Sequence, residues 1–288
     1  MNDDIDNKTD NKKESRLGPV IYARHLETGY NIYRRLVTKQ FLECKPEFTD
    51  VGLCENAKHD IEHILKLFKN LKIKYVFCCP MLRCLETCEI FFKNHPDKDK
   101  ITVFVNPWLM GSVTSNDDFS ADIANKQKMF NENSSIKFDW SHFNKLYPNE
   151  EDRELYYFNF MDQISNDKEA KIIFHKIKNI EKAIIKDIEN NNYSDYEILL
   201  TKFAEIFHKK KKKPESLKNL HKRCILFKDY IKSFLPKLSD DEKIIIITHC
   251  SYIKISSSKM AESMDEILKY PPDCKYIFNA QIMSMDLD

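Results

Sequence analysis

Glycine is scarce in this sequence, which has only 4 glycines among 288 residues. Lysine, asparagine and isoleucine are used heavily instead, a combination typical of a biased codon pool. Such a bias replaces glycines without removing the chemistry around them. We therefore expect any motif in this chain to have lost some of its glycine positions.

Charge of one sign and long hydrophobic runs are also lacking. The 46 basic and 45 acidic residues nearly cancel, so nothing global predicts nucleic acid or an anionic membrane as a partner. No stretch reaches transmembrane length, and the N-terminus lacks the apolar core of a signal peptide. Asn2 follows Met1, which excludes N-myristoylation. These absences predict a soluble, cytoplasmic protein.

Repeated C-x-x-C pairs, which would indicate a zinc site, do not occur. Nine cysteines are present, and Cys78, Cys79, Cys84 and Cys88 lie close together. Cys78 and Cys79 belong to an apolar, strand-like run, which favours reduced and partly buried thiols over metal ligands. The cysteine pattern therefore predicts no metal site.

Apolar runs alternate with amphipathic segments along the chain. PVIY, YVFCC, ITVFV and KIIIITH predict four buried strands, and IMSMDL predicts a half-exposed edge strand. Helical spacing of apolar residues begins at residue 52 and again after Pro80. Strands that alternate with helices favour an α/β fold with three αβα layers and a mostly parallel sheet.

The domain organisation follows from the polar segments. Residues 1–17 predict a disordered tail, and residues 18–288 a single domain. Strand signals are few between about residues 112 and 240, where helices are expected over 168–192 and 196–208 and before the fourth strand. This region predicts a helical insertion packed over the sheet. The lysine run 209–213 favours a solvated linker over a nucleic-acid or targeting patch.

Charged side chains follow three of the predicted strands. Arg24 and His25 follow the first, Arg83 lies in the first helical turn after the second, and His249 ends the fourth. Ligands of parallel sheets bind beyond the carboxyl ends of the strands, so these side chains should converge. Two arginines and two histidines on a nearly neutral protein predict a phosphate site, because guanidinium groups bind phosphate bidentately.

These segments resemble the histidine phosphatase superfamily, the phosphoglycerate mutase-like proteins. The family's R-H-G-E-T-x-x-N has its counterparts at Arg24, His25, Glu27, Thr28 and Asn31. Its S-P-L-x-R-x-x-x-T-A resembles CPMLRCLETC with Arg83 and Thr87, and its V-x-H-G resembles IIIITHC with His249. LCENAKHDI and PESLKNLHKR are weaker matches to two further segments. The resemblance covers roughly residues 19–111 and 214–287.

The resemblance implies a phosphatase that hydrolyses phosphate monoesters of a small molecule or a phosphoprotein. His25 would attack phosphorus and become a phosphohistidine, while Arg24, Arg83 and His249 would hold the phosphoryl oxygens. Water would then release phosphate, and neither a metal nor an organic cofactor would be needed. Further hydrogen bonds are expected from Thr28, Asn31 and the backbone N–H of Cys250.

Two of these residues have an alternative interpretation. Thr28 and Asn31 are also typical capping or turn residues, and Glu27 is more readily structural than catalytic. The sequence alone leaves both roles open for Thr28 and Asn31, and it contains no signal for the oligomeric state.

Three positions depart from the family pattern. Leu26 replaces a glycine after the nucleophile and is expected to crowd the backbone there. Cys250 replaces a glycine after the second histidine but keeps the backbone N–H. The glutamate that normally serves as general acid is absent at Gly111, and the nearest carboxylates are Asp117 and Asp118. The sequence does not distinguish between these two.

Because this glutamate is absent, three functions remain possible for the chain. A working phosphatase with a displaced acid is the favoured one. The first alternative is a catalytically weakened relative that binds phosphorylated ligands or proteins. The second is a phosphoglycerate mutase, although the family's E-R-H-Y-G segment is absent after residue 111.

Overall fold

The computed structural model describes residues 17–36, 45–59, 61–186, 193–259 and 270–285. Within these ranges, six strands form one sheet: β1 (Val20–Arg24), β2 (Lys72–Cys78), β3 (Thr102–Val105), β4 (Lys137–Asp139), β5 (Glu242–Thr248) and β6 (Ile282–Ser284). Their order is β4-β3-β2-β5-β1-β6. All neighbours pair in parallel except β1 and β6, which are antiparallel.

Helices cover the sheet, so the predicted three-layer αβα fold is confirmed. The helices are α1 (Gly29–Leu36), α2 (Glu62–Asn70), α3 (Leu82–Phe92), α4 (Ile123–Asn133), α5 (Ser141–Leu146), α6 (Glu150–Glu154), α7 (Lys168–Lys186), α8 (Tyr193–Lys209), α9 (Leu217–Lys232) and α10 (Cys250–Ser256). In the described part of the chain, no helix is both long and apolar enough to cross a membrane.

The neighbouring strands β1 and β5 are buried on both faces. Every residue from 244 to 247 in β5 and from 20 to 23 in β1 is fully inaccessible to solvent. Covered parallel strands read as continuous apolar runs rather than alternating ones, which is why KIIIITH and PVIY are such clear signals. The predicted edge strand near the end of the chain is β6, and its residues are half-exposed.

The helix predicted from residue 52 is divided in the structure. A short 3-10 turn, Glu55–Lys58, precedes α2, and α2 buries Ile64 and Phe68 against the core. Of the predicted tail, residues 1–16 lie outside the described residues. The lysines at 209–213 are exposed, which fits the solvated-linker interpretation.

One strand lies inside the region that was predicted to be helical. β4 pairs in parallel with β3, with Thr102 opposite Lys137. The prediction missed it because three residues with one buried apolar side chain, Phe138, carry no recognisable period. Part of the predicted insertion at 112–240 therefore extends the sheet instead of covering it. The single domain over residues 18–288 stays a prediction.

Candidate active site

The two predicted catalytic histidines meet because their strands are neighbours. β1 and β5 pair in parallel with Arg24 opposite Thr248, and His25 and His249 follow directly. The His25 N–H donates to the Thr248 carbonyl at 3.0 Å. The two imidazole rings are 5.0 Å apart between centroids, at an angle of 60°. The register of one strand pair thus places both side chains at the same edge of the sheet.

The hydrogen bonding of His25 determines its tautomer. Its Nδ1 lies 2.7 Å from the Leu26 carbonyl oxygen, and a carbonyl only accepts, so Nδ1 carries the proton. Burial, reinforced by Arg83 and Arg24, holds the pKa of His25 well below its usual value. His25 is therefore neutral at physiological pH, with a lone pair on Nε2.

Arg83 connects three parts of the site. It lies at the start of α3, which is fixed by a hydrogen bond from the Leu82 N–H to Asp50 at 2.9 Å. Its Nη1 donates to the Asp117 carbonyl at 2.6 Å, and its Nη2 donates to Asp118 at 3.3 Å and to Nδ1 of His249 at 3.4 Å. Arg83 therefore links the end of β2 to His249 and to the 3-10 turn Asn116–Asp118.

His249 is also held neutral. Burial, Arg83 and the neighbouring His25 keep the pKa of His249 well below its usual value. Its Nε2 faces away from Arg83, toward Cys79 at 3.1 Å and Cys84 at 3.5 Å between nitrogen and sulfur. These two cysteines and Cys78 and Cys88 are free and buried, which agrees with the predicted reduced thiols. The sequence pattern did not predict that two of them contact His249.

Arg24 is the last residue of β1. Its Nη1 donates to the Ile277 carbonyl at 3.1 Å. Its Nε is buried and has no hydrogen-bond partner among the described residues. The positive charge of Arg24 contributes to the lowered pKa of both histidines. Arg24 therefore lies near them with a buried donor available.

Thr28 and Asn31 form a reciprocal cap at the start of α1. The Thr28 hydroxyl accepts from the Asn31 N–H, and the Asn31 side-chain oxygen accepts from the Thr28 N–H, both at 3.2 Å. This is a capping-box arrangement, one of the two interpretations that the sequence left open. Contact of either residue with a phosphate stays a prediction. Cys250 opens α10, where backbone N–H groups lack intrahelical acceptors.

Leu26 fits without strain in place of the family glycine. It is fully buried and is not among the residues with positive φ, so its backbone conformation does not require glycine. Its N–H donates to the Thr87 hydroxyl at 3.0 Å. The expected crowding beside His25 is therefore absent. Asn279, which no sequence signal indicated, supports the same loop by donating to the His25 carbonyl at 2.9 Å.

Gly111 lies directly against His249. A Cβ atom at this position would come within 3.0 Å of the His249 Cβ and 2.9 Å of the Ser251 hydroxyl oxygen. The 2.9 Å contact is shorter than real Cβ atoms show, and the 3.0 Å contact is tighter than nine in ten of them. A larger side chain at position 111 would therefore require Ser251 and His249 to shift.

Asp117 and Asp118 differ in their surroundings. Asp118 forms the ion pair with Arg83 and accepts from the Thr114 N–H at 2.9 Å and hydroxyl at 2.8 Å. Asp117 accepts from the Ser115 hydroxyl. Burial and the charge of Asp118 outweigh Arg83 and raise the pKa of Asp117 to about 7. Asp117 can therefore hold a proton near neutral pH, whereas Asp118 accepts hydrogen bonds from Arg83 and Thr114.

A second buried arginine holds the loop before these aspartates. Arg223, on α9, donates to both carboxylate oxygens of Glu215 at 2.8 Å. It also donates to the carbonyls of Trp108, Met110 and Gly111 at 2.8–2.9 Å. This network fixes the segment that carries Gly111 to His249. Its glutamate lies in PESLKNLHKR, whose weak family match was the only sequence signal for it.

A cavity of about 450 Å³ lies beside the loop that follows β1. Its lining includes Leu26, Glu27, His63 and Asn279 but neither His25 nor His249. His25 and His249 are only 4% and 5% exposed. The site around the two histidines is thus closed in this conformation, next to an open cavity.

Comparison with known proteins gives little guidance. No protein-family model and no curated protein matches this chain. Among solved structures, it is similar to YhfR of Bacillus stearothermophilus with 14% sequence identity and a TM-score of 0.39, over 91% of this chain and 88% of that one. A similarity this remote assigns neither family nor function, so the functional argument depends on the site itself.

Proposed function

We propose that this chain is a phosphatase that hydrolyses phosphate monoesters through a phosphohistidine on His25. The observation that carries the proposal is the hydrogen bond from Nδ1 of His25 to the Leu26 carbonyl. It supports Nε2 as a neutral nucleophile, beside a second histidine and a buried arginine. The residue pattern that resembles the histidine phosphatases supports the same assignment.

In the first step, Nε2 of His25 attacks phosphorus, and the bond from phosphorus to the ester oxygen breaks. Arg24, Arg83 and His249 stabilise the charge on the three remaining oxygens. In the second step, water attacks the phosphohistidine, the P–N bond breaks, and phosphate leaves. The backbone N–H of Cys250 is the proposed fourth donor, and Thr28 and Asn31 are proposed to add further hydrogen bonds to the transferred group.

Asp117 is the proposed general acid. The leaving oxygen must receive a proton as the ester breaks, and the ideal donor has a pKa near the working pH. The pKa of about 7 for Asp117 meets this requirement, whereas Asp118 is already paired with Arg83. In the second step, Asp117 would take a proton from the attacking water.

Substrate binding requires a local rearrangement in this proposal. One donor of Arg83 is occupied by Asp118, and a substrate phosphate would replace that carboxylate as the acceptor. The 116–118 turn would then shift relative to Arg83 and bring Asp117 to the leaving oxygen. The substrate, a phosphorylated small molecule or a phosphoprotein, would enter from the neighbouring cavity.

Two observations favour a protein that binds phosphorylated ligands without hydrolysing them. A carboxylate at Gly111, the family's acid position, would require Ser251 and His249 to shift, and both histidines are nearly inaccessible. Such a protein would bind phosphate through the two arginines and lack measurable hydrolysis. Hydrolysis of a phosphate monoester therefore distinguishes the phosphatase from the binding protein.

The test is to trap the phosphoenzyme. The protein is incubated with a phosphate monoester, quenched rapidly and assayed for an acid-labile, base-stable phosphoryl group. The wild type and a His175→Ala control, in which an exposed histidine of α7 is removed, should be labelled. His25→Ala should lose the label and turnover. Full labelling of His25→Ala would exclude this nucleophile, and tight phosphate binding without label would favour the binding function.

A further inference from the structure

The end of β2 and the end of β5 bring three potential metal ligands together. Cys79 directly follows β2, Cys84 lies in the first turn of α3, and His249 directly follows β5. Since β2 and β5 are paired neighbours, the three side chains converge at the same edge of the sheet. The two sulfur atoms and one imidazole nitrogen all lie within 4.8 Å of one another, and all three residues are buried.

We propose that Cys79, Cys84 and His249 bind a zinc ion. The proposal depends only on the geometry and chemistry of these three side chains. Two thiolates and an imidazole are ligands typical of Zn²⁺, and three protein ligands leave a fourth tetrahedral position open for water. The cysteine pattern along the sequence did not predict this site because its third ligand lies on another strand.

The distances fit tetrahedral coordination. Zinc with bonds of about 2.3 Å to sulfur and about 2.0–2.1 Å to nitrogen holds a sulfur and a nitrogen about 3.6 Å apart, and two sulfurs about 3.8 Å apart. Nε2 of His249 lies 3.5 Å from the Cys84 sulfur and 3.1 Å from the Cys79 sulfur. Both nitrogen-to-sulfur distances therefore lie within about half an ångström of the tetrahedral value, and the two sulfur atoms lie within 4.8 Å of each other.

Metal binding and the Arg83–His249 contact exclude each other. An ion on Nε2 leaves the proton of neutral imidazole on Nδ1, the atom that now accepts from Arg83 at 3.4 Å. Two donors would then face each other, and Arg83 would have to move away. If the proposed phosphatase function is correct, the ion removes His249 and Arg83 from the phosphate site together, and zinc is an inhibitor.

Cobalt tests the site by spectroscopy without reference to activity. The full-length, reduced protein is titrated with Co²⁺. We expect one ion per chain, with sulfur-to-cobalt charge transfer in the near ultraviolet and intense visible bands of tetrahedral Co²⁺. Zn²⁺ should displace the cobalt and abolish both signals. A wild-type protein with no charge-transfer absorption at saturating Co²⁺ would overturn the proposal, whatever the variants do.

Variants locate the ligands. Cys79→Ala and Cys84→Ala should each weaken Co²⁺ binding by more than the roughly 10- to 100-fold that loss of an outer-shell partner costs. Cys88→Ala, which removes another fully buried cysteine of α3, is the matched control and should keep the wild-type affinity. Cys79→Ser and Cys84→Ser replace any alanine variant that does not fold. A charge-transfer signal that persists in the Cys79/Cys84 double variant would overturn the assignment.

Inhibition is measured separately. Zn²⁺ should lower wild-type hydrolysis of a phosphate monoester, and Cys84→Ala should require at least tenfold more zinc for the same inhibition. If the cobalt spectra appear as expected but no phosphatase activity exists, the metal site stands and the proposed function fails. If activity exists and no cobalt signal is found, the function stands and the metal site fails.

Discussion

Arg223 and Arg83 are both buried, but they differ in how many hydrogen-bond acceptors they meet. Arg223 is 3% exposed and Arg83 is 4% exposed, and each pairs with a carboxylate. The five N–H donors of Arg223 meet five acceptors, two on Glu215 and three backbone carbonyls. Arg83 donates to three acceptors, one of them at 3.4 Å. Arg223 therefore has a protein acceptor for each of its five N–H donors, whereas Arg83 has three acceptors among the described residues.

The carboxylates that lie beside these two arginines also differ from each other. Glu215 is fully buried and accepts from Arg223, from the Val113 N–H at 2.9 Å and from the Asn219 side chain at 3.2 Å. Beside Arg83, two aspartates share one arginine, and the pKa of Asp117 rises to about 7. Burial raises the pKa of Glu215 as well, so the two carboxylates differ in their partners: Glu215 accepts from a cation, a backbone N–H and an amide, whereas Asp117 accepts from the Ser115 hydroxyl.

The largest effect is expected from Asp117→Asn. If Asp117 protonates the leaving group, this change should slow hydrolysis of an alkyl phosphate by about 100- to 10,000-fold. Hydrolysis of nitrophenyl phosphate should change little, because nitrophenolate leaves without a proton. The acid must be protonated, so alkyl-ester turnover should fall as pH rises through about 7. The measurement is kcat for both esters across this range.

Asp118→Asn is the matched control for this experiment. It should weaken the contact with Arg83 and keep the decline of alkyl-ester turnover with rising pH, but move that decline to lower pH, because the charge of Asp118 helps to raise the pKa of Asp117. Brisk alkyl-ester turnover in Asp117→Asn, with the same pH dependence as the wild type, would show that another group supplies the proton.

The next effect concerns stability. Arg223→Met should lower the free energy of unfolding by about 3–5 kcal/mol, because it leaves the buried Glu215 without its cation. Urea denaturation measures this. Arg35→Met is the control, since Arg35 is 64% exposed in its pair with Glu27, and loss of such a surface pair costs at most about 1 kcal/mol. Equal losses in the two variants would show that the buried network of Arg223 stabilises the protein no more than the exposed pair of Arg35 does.

A smaller effect is expected from Arg83→Lys, and it should appear in the rate. An ammonium group cannot make the planar, two-pronged contact with a phosphoryl group, and losing one such donor typically costs about 100- to 1,000-fold in kcat. The free energy of unfolding should change less than in Arg223→Met. Unchanged kinetics in Arg83→Lys would mean that Arg83 serves structure alone.

The sheet was predictable because its strands are unusually apolar. Four predicted strands and the edge strand correspond to β1, β2, β3, β5 and β6, since strands covered on both faces need continuous apolar runs. β4 was not predictable from three residues. The division before α2 was missed because a 3-10 turn and an α-helix place apolar residues at similar spacing.

The site was predictable as far as strand ends and residue types determine it. His25, Arg83 and His249 converge because parallel strands end at the same edge. The contacts of His249 with Cys79 and Cys84 depend on side-chain direction, which no spacing specifies. The steric crowding at Gly111 likewise depends on how closely two loops approach, and sequence alone leaves that distance open.

The most direct test of the central claim is the position of the phosphoryl group on His25. Nδ1 of His25 carries the proton that it donates to the Leu26 carbonyl, so only Nε2 has a lone pair that can attack phosphorus. NMR of the ¹⁵N-histidine-labelled phosphoenzyme, through phosphorus–nitrogen coupling, distinguishes the two ring nitrogens. We predict phosphorylation of His25 at Nε2 in the wild type. Phosphorylation at Nδ1, or on any other residue, would contradict the proposed mechanism.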